Sequence, residues 1–164
     1  MIRLRDATST DLGALHALDQ LCYPVGIAYS KGEMRYYLRR SGAVSIVAEE
    51  LREEEQEARL LGFAIAEPAR YGKAAGGHII TIDVSPDARR RGVGTRLMEA
   101  LESRLSAGGI TRLRLEVAVD NAGAQRFYWG RGFVAKETIC GYYMGTLDAL
   151  IMEKDLASYP TDLE

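Results

Sequence analysis

The apolar positions change period along this chain, and each change marks an element. Ile2 and Leu4 alternate with Arg3 and Arg5, which predicts a short strand. Thr8 and Asp11 stand at capping-box spacing, and Leu12, Leu15, Leu18 and Leu21 then recur near the helical repeat. Pro24 and Gly26 break the pattern and put CYPVGIAYSKGE in a loop, with a second helix predicted over 33–40. The runs AVSIVAEE and LLGFAIAEP flank a charged connector, 52–59, and predict an antiparallel hairpin with a solvated tip at Glu53, Glu54, Glu55 and Glu57. A turn is expected over 72–77, followed by the β-branched strand HIITIDV, which ends before Pro86. From Gly92 to about Ser106, the residues Val93, Leu97, Ala100, Leu101 and Leu105 share one helical face, and Gly108-Gly109 ends that helix. RLRLEVAV alternates strictly, with Leu113, Leu115, Val117 and Val119 on one face. Asn121 opens a short helix that closes at RGF, and late strands are expected near 134–139 and 148–154. The order β-α-α-β-β-β-α-β-α-β-β predicts a mixed α/β (α+β) fold, read as one domain over 1–164.

Composition narrows the function classes. The chain has 164 residues, 47% of them apolar, and a formal net charge of −2, the profile of an ordinary soluble protein with a sizeable core. A general nucleic-acid binder is usually strongly basic, so this balance argues against one. No apolar run approaches the roughly 20 residues that span a bilayer. MIRLRDATST lacks the apolar stretch of a signal peptide, so a cytoplasmic protein with no membrane contact is expected. Cys22 and Cys140 lie far apart without metal-ligand spacing and read as reduced thiols; no metal is expected.

The stretch SPDARRRGVGTRLM carries the chemistry. Gly92 and Gly94 stand between a β-branched strand and a helix. A helix start presents unpaired N–H groups and a partial positive charge, and glycine permits both the turn and the approach of another group. The product is a small anion cradle for a phosphate or diphosphate, with Arg89, Arg90 and Arg91 adding mobile positive charge. The Walker pattern is absent, and Leu97 stands where a dinucleotide fingerprint needs its third glycine. From these residues alone, a plain strand-to-helix turn with surface arginines remains the alternative.

The rest of the chain adds a resemblance. Arg89-x-x-Gly92-x-Gly94 resembles the Arg/Gln-x-x-Gly-x-Gly/Ala signature of the GNAT N-acetyltransferase superfamily. LEVAVDNAGAQRFYWGRGF is similar to the second half of that domain, with Leu115-Glu116-Val117, Asn121, Phe127-Tyr128 and Gly132-Phe133 at its spacing. GYYMGTLDALIMEKDL resembles the closing hairpin of the branch that acetylates protein N-termini, bacterial ribosomal-protein-alanine N-acetyltransferases above all. The likeness is strongest over 82–155, and LCYPVGIAYS resembles the loop joining that family's first two helices.

The resemblance implies a twisted mixed sheet of about six or seven strands, splayed between the fourth and fifth and flanked by about four helices. It implies acetyl-CoA as cosubstrate, with no metal. Ile82, Asp83 and Val84 would lie beside the pantetheine arm, and Arg89, Arg90, Arg91, Gly92, Val93, Gly94 and Thr95 would hold the diphosphate. Asn121 would contact the cofactor arm, although capping the next helix is its simpler role. Tyr128 would face the thioester sulfur as general acid, and Glu116 would be the base. Glu116 shares its strand face with Arg114, so a strand ion pair is its simpler reading; His78 is the rival base. Tyr23 and Tyr29 in the first loop, with Tyr142 and Tyr143 near the last hairpin, would wall the substrate groove. Gly141 stands where the ribosomal-protein enzymes usually carry a polar residue. The acceptor would be a protein N-terminus or, alternatively, a small amine such as a polyamine, aminoglycoside or amino acid. A non-catalytic acyl-CoA-binding module is a third reading, and the chain would work as a monomer or homodimer.

Overall fold

A computed structural model of the chain describes residues 1–52 and 57–156. The acidic connector tip at Glu53, Glu54 and Glu55 lies outside them. The elements are β1 (Ile2–Asp6), α1 (Leu12–Cys22), α2 (Lys31–Arg39), β2 (Val44–Glu50), β3 (Arg59–Tyr71), β4 (Ala74–Val84), α3 (Val93–Ala107), β5 (Arg112–Ala118), α4 (Ala122–Gly130), β6 (Val134–Tyr143) and β7 (Leu147–Asp155). Strand and helix order is the one predicted. The strands pair in the order β1-β2-β3-β4-β5-β7-β6, a seven-stranded mixed sheet. Among the described residues no helix is long and apolar enough to cross a membrane.

The chain forms two compact units, one of Met1–Glu67 with Ile79–Leu105, the other of Pro68–His78 with Ser106 onward. In the first, β1-β2 and β2-β3 are antiparallel ladders, with a bulge at Ala48/Glu49. Leu15, Leu18, Met34, Val47, Phe63 and Ile65 form a buried cluster here, in which α1 and α2 each contribute one apolar face. Helix α2 starts earlier than its apolar pattern indicates, because Ser30 and Glu33 build a reciprocal capping box. On α3 the residues Val93, Leu97, Met98, Leu101 and Leu105 are all buried, whereas Ala100 is only half-buried.

In the second unit, β4 begins at Ala74, inside the span expected to be a turn. Pairing explains the difference: Gly76, Gly77 and His78 run parallel to Arg112, Leu113 and Arg114 of β5, and ladder bonds outweigh the weak strand preference of glycine. Among the described residues this parallel ladder has three register pairs. Strand β5 also pairs antiparallel with β7 from Arg112↔Asp155 to Ala118↔Ala149. Leu113, Leu115 and Val117 are buried as the alternation predicts. Val119 is not: the strand ends one residue earlier, its N–H bonds Asp148 O, and its side chain is 43% exposed. The β6–β7 ladder is irregular between Ile139 and Tyr143. There Gly141 has φ of 65°, its N–H donates to Asp148 Oδ1 at 2.8 Å, and a Cβ would lie 3.0 Å from Gly145 O. A side chain at position 141 would therefore strain this bulge, which favours the glycine found there.

Candidate functional site

The strand-to-helix junction lies in the first unit. After a short turn at Pro86–Ala88, Arg90 and Gly92 adopt positive φ of 61° and 77°, and α3 starts at Val93. A helix start leaves its first N–H groups without intrahelical acceptors, here those of Val93, Gly94 and Thr95. Gly92 is exposed, and beyond its chain neighbours the place a Cβ on it would take has no heavy atom within 4 Å. The arginines are less mobile than the sequence suggests. Arg89 Nε donates to Val84 O at 3.4 Å, and Arg91 Nη2 bonds Glu50 Oε1 at 2.5 Å. The Arg91 hydrogen bond is the main reason the Glu50 carboxyl is held below its ordinary range. Arg90 is exposed beside the helix start. Backbone donors, a helix-end positive charge and open access are what a diphosphate needs.

The first-loop tyrosines come against β4 in the same unit. Tyr29 Oη donates to Ile80 O at 3.3 Å, Tyr23 Oη to Ile82 O at 3.4 Å, and Cys22 Sγ to Val84 O at 3.4 Å. They lie on alternate carbonyls of one strand edge. Of the three residues expected along the cofactor arm, Ile82 and Val84 offer carbonyls there. Asp83 offers only its backbone, because its side chain is 1% exposed and accepts from Thr81 Oγ1 at 2.5 Å.

The second unit gathers the candidate catalytic groups. The parallel register sets His78 opposite Arg114, two residues before Glu116 on β5. His78 Nε2 and Glu116 Oε2 are 2.6 Å apart, so the two groups weighed as rival bases form one hydrogen-bonded pair. Both side chains keep some access to solvent, 25% and 17%. The simpler reading of Glu116, a pair with Arg114, is not what forms: Arg114 Nη2 and Nε reach Glu153 Oε1 at 2.7 and 3.0 Å, and its guanidinium lies 4.4 Å from the centre of the Tyr71 ring. Burial, then the neighbouring Tyr142 and the Glu116 charge, push the Tyr143 phenol well above its usual range. One tyrosine of the closing hairpin thus lies within electrostatic reach of Glu116. Tyr142 and Tyr143 pack edge to face at 4.9 Å, Tyr142 being 46% exposed.

Tyr128, on α4, is 8% exposed and packs edge to face on Phe127 and Phe133, with centroids at 5.4 and 5.6 Å. Asn121 Oδ1 accepts from Ala124 N at 3.1 Å; it is the N-cap of α4 and fixes where the helix bearing Tyr128 begins. The His78 contact escaped the sequence reading because parallel register is invisible in a single chain. A second contact it missed joins Asp19 of α1 to Asp83 of β4. Cys22 and Cys140 are free thiols. Among the described residues no group of three or more His, Cys, Asp or Glu side chains could hold a metal.

Comparison with known proteins adds three findings. The family model described as Acetyltransferase (GNAT) family matches residues 12–133. N-alpha-acetyltransferase 20 of Dictyostelium discoideum is 32% identical over 114 residues, 68% of this chain and 63% of that protein. The [Ribosomal protein bS18]-alanine N-acetyltransferase of Salmonella typhimurium is 39% identical over 77 residues, 45% of this chain and 52% of that protein. The chain thus spans between half and two thirds of the length of these curated relatives. Among solved structures, the ribosomal-protein-S18-alanine N-acetyltransferase from Escherichia coli superposes with a TM-score of 0.79, covering 100% of this chain and 99% of that one at 24% identity. Arabidopsis thaliana NAA60 in complex with acetyl-CoA superposes with a TM-score of 0.84 over 96% of this chain and 100% of that one, at 20% identity. At these identities the superpositions speak for the fold.

Proposed function

The chain belongs to the acetyltransferase (GNAT) family, and from that premise we propose that it transfers an acetyl group from acetyl-CoA to the N-terminal α-amine of a protein. The observation that carries the reading is the exposed turn at the start of α3, where Gly92 takes φ of 77° and, beyond its chain neighbours, no heavy atom lies within 4 Å of its Cβ position. Acetyl-CoA supplies an activated acyl thioester. The N–H groups of Gly92, Val93, Gly94 and Thr95 hold its diphosphate, aided by Arg90, while Arg89 and Arg91 brace the turn from behind. Ile82, the backbone of Asp83, and Val84 line its arm. Glu116 takes the proton from the incoming ammonium, and His78, at 2.6 Å, shares it. Tyr128 gives its phenolic proton to the departing sulfur. Tyr23, Tyr29, Tyr142 and Tyr143 contact the acceptor.

The choice of an α-amine rests on the names of the relatives above and on chemistry. A peptide α-amine has a reference pKa of about 7.7–8.0 and a lysine about 10.4, so roughly a tenth of the former and under a thousandth of the latter is neutral at pH 7. A glutamate shared with a histidine is a modest base, sufficient for the first task. The experiment is acetyl-CoA turnover on short peptides with varied first residues, beside free lysine and polyamines. Acetylation confined to peptide α-amines is the expected result. Acetylation of small amines alone would replace the acceptor with the alternative class, and no turnover with any amine would leave an acyl-CoA-binding module.

A further inference from the structure

Two carboxyl groups lie deep in the first unit with no assigned task. Asp19 on α1 is 0% exposed and Asp83 on β4 is 1% exposed. Their carboxyl groups are near enough to act on one another directly. Asp19 Oδ2 accepts from Tyr29 N at 2.6 Å, and Asp83 Oδ1 accepts from Thr81 Oγ1 at 2.5 Å. The other two oxygens, Asp19 Oδ1 and Asp83 Oδ2, find no N–H or O–H among the described residues. Two bare carboxylates facing each other in a buried site would repel, and neither could donate to the other. A single proton between them satisfies both orphan oxygens.

We propose that Asp19 and Asp83 share one proton, and that this acid pair is a latch fastening the loop between α1 and α2 onto β4. Asp19 grips the loop through Tyr29 N–H, and Asp83 is its seat on the strand. With the latch closed, the Tyr29 and Tyr23 hydroxyls settle on Ile80 O and Ile82 O. Because the proposed function gives both tyrosines to the acceptor, the pair is a positioning element for that reaction, and its catalytic meaning rests on that reading. Its existence does not.

The charged and titratable neighbours are few. His16 from α1 and Glu33 from α2 act on Asp19 through space, with opposite signs. Arg89, after β4, favours the charged form of Asp83. The Cys22 thiol, pushed up to about 11 by burial and then by the Asp83 charge, stays protonated beside the pair. Burial raises both carboxyls, Asp83 well above its ordinary value. A raised carboxyl contributes stability fully present below the unfolded-state value, about 3.9, and lost as pH rises through the folded-state value. Asp11, Glu49, Glu50 and Asp87 are lowered, so their contribution is present above the unfolded-state value and lost only as pH falls. Those four therefore add no slope above about pH 5.5, and the slope of the pair is the difference between the natural chain and its variants.

D83N is the decisive variant: its amide donates the same hydrogen bond to Asp19 without recruiting a proton, and its oxygen still accepts from Thr81. D19N repeats the test from the other side, accepting from Tyr29 N and donating to Asp83. Over pH 5.5–8.5 the folding equilibrium constant of the natural chain should fall by up to about tenfold per pH unit, the slope of one proton held only in the folded state. That slope should vanish in D83N or D19N. In parallel, the carbon NMR signal of one aspartate carboxyl in the natural chain should remain in its protonated position at pH 7. KM for a peptide acceptor should rise with pH in the natural chain more steeply than in D19N, with kcat and acetyl-CoA affinity little affected. Equal pH slopes in the natural chain and the variants, or aspartate carboxyls all ionised at pH 7, would overturn the latch. Failure of acetyl transfer alone would remove the acceptor reading and leave the stability and NMR results to decide the pair.

Discussion

Exchanging Glu116 for glutamine is expected to lower kcat about 10²- to 10³-fold with peptide acceptors at pH 7, within the range typical of a general base. Glutamine keeps the size of the side chain and can still hydrogen-bond to His78, which lies 2.6 Å from the carboxylate in the natural protein. What it loses is the capacity to take a proton. The loss stays moderate because an α-amine is partly neutral before it binds, and because alignment of amine and thioester supplies much of the acceleration. Raising the pH should restore part of the rate as more acceptor arrives neutral. Initial rates across pH 6–9 with the natural chain, E116Q and H78N check the point. If His78 alone were the base, H78N would carry the whole loss and E116Q almost none. With the pair acting together, E116Q is the more severe variant, and the double variant costs little beyond it, because groups that act as a unit are not additive.

Tyr128→Phe is expected to lower kcat about 10²-fold while leaving acetyl-CoA affinity within about twofold, as for a proton donor needed only while the sulfur departs. Phenylalanine retains the edge-to-face packing on Phe127 and Phe133, so the fold should hold. Calorimetric affinity for acetyl-CoA beside steady-state turnover separates the two effects. A thiol leaving group is the point at issue, so the chemical step read by single-turnover quench should slow by the same factor. Unchanged turnover would return Tyr128 to the role of a packed ring.

Element order was legible because the periods are clean: β5 alternates from Arg112 to Val117, and α3 keeps one apolar face over 15 residues. The misjudged edges were those that pairing and capping decide. Gly76 and Gly77 read as turn residues until β5 supplies a ladder for them, and α2 starts where Ser30 and Glu33 bond, ahead of the apolar pattern. At the candidate site, residue types and spacings were visible, but contacts between distant segments were not. Nothing in a single sequence sets His78 opposite Arg114, so the two candidate bases looked like rivals. The arginine triplet looked uniformly mobile, while Glu50, 41 residues earlier, holds Arg91. Asp83 looked like a cofactor-side residue, as Ile82 and Val84 beside it did. Only the packing of α1 shows that its carboxyl turns away to meet Asp19.

The proposed grip of the α3 start on a diphosphate underlies the catalytic roles proposed above. Its most direct test is a titration of coenzyme A into nitrogen-15-labelled protein, with the backbone amides followed one by one and pantetheine, which lacks the diphosphate, as the comparison. The largest shifts should fall on Gly92, Val93, Gly94 and Thr95, and pantetheine should leave those four amides in place. Coenzyme A that binds while those amides stay silent, or that does not bind at all, would contradict the account.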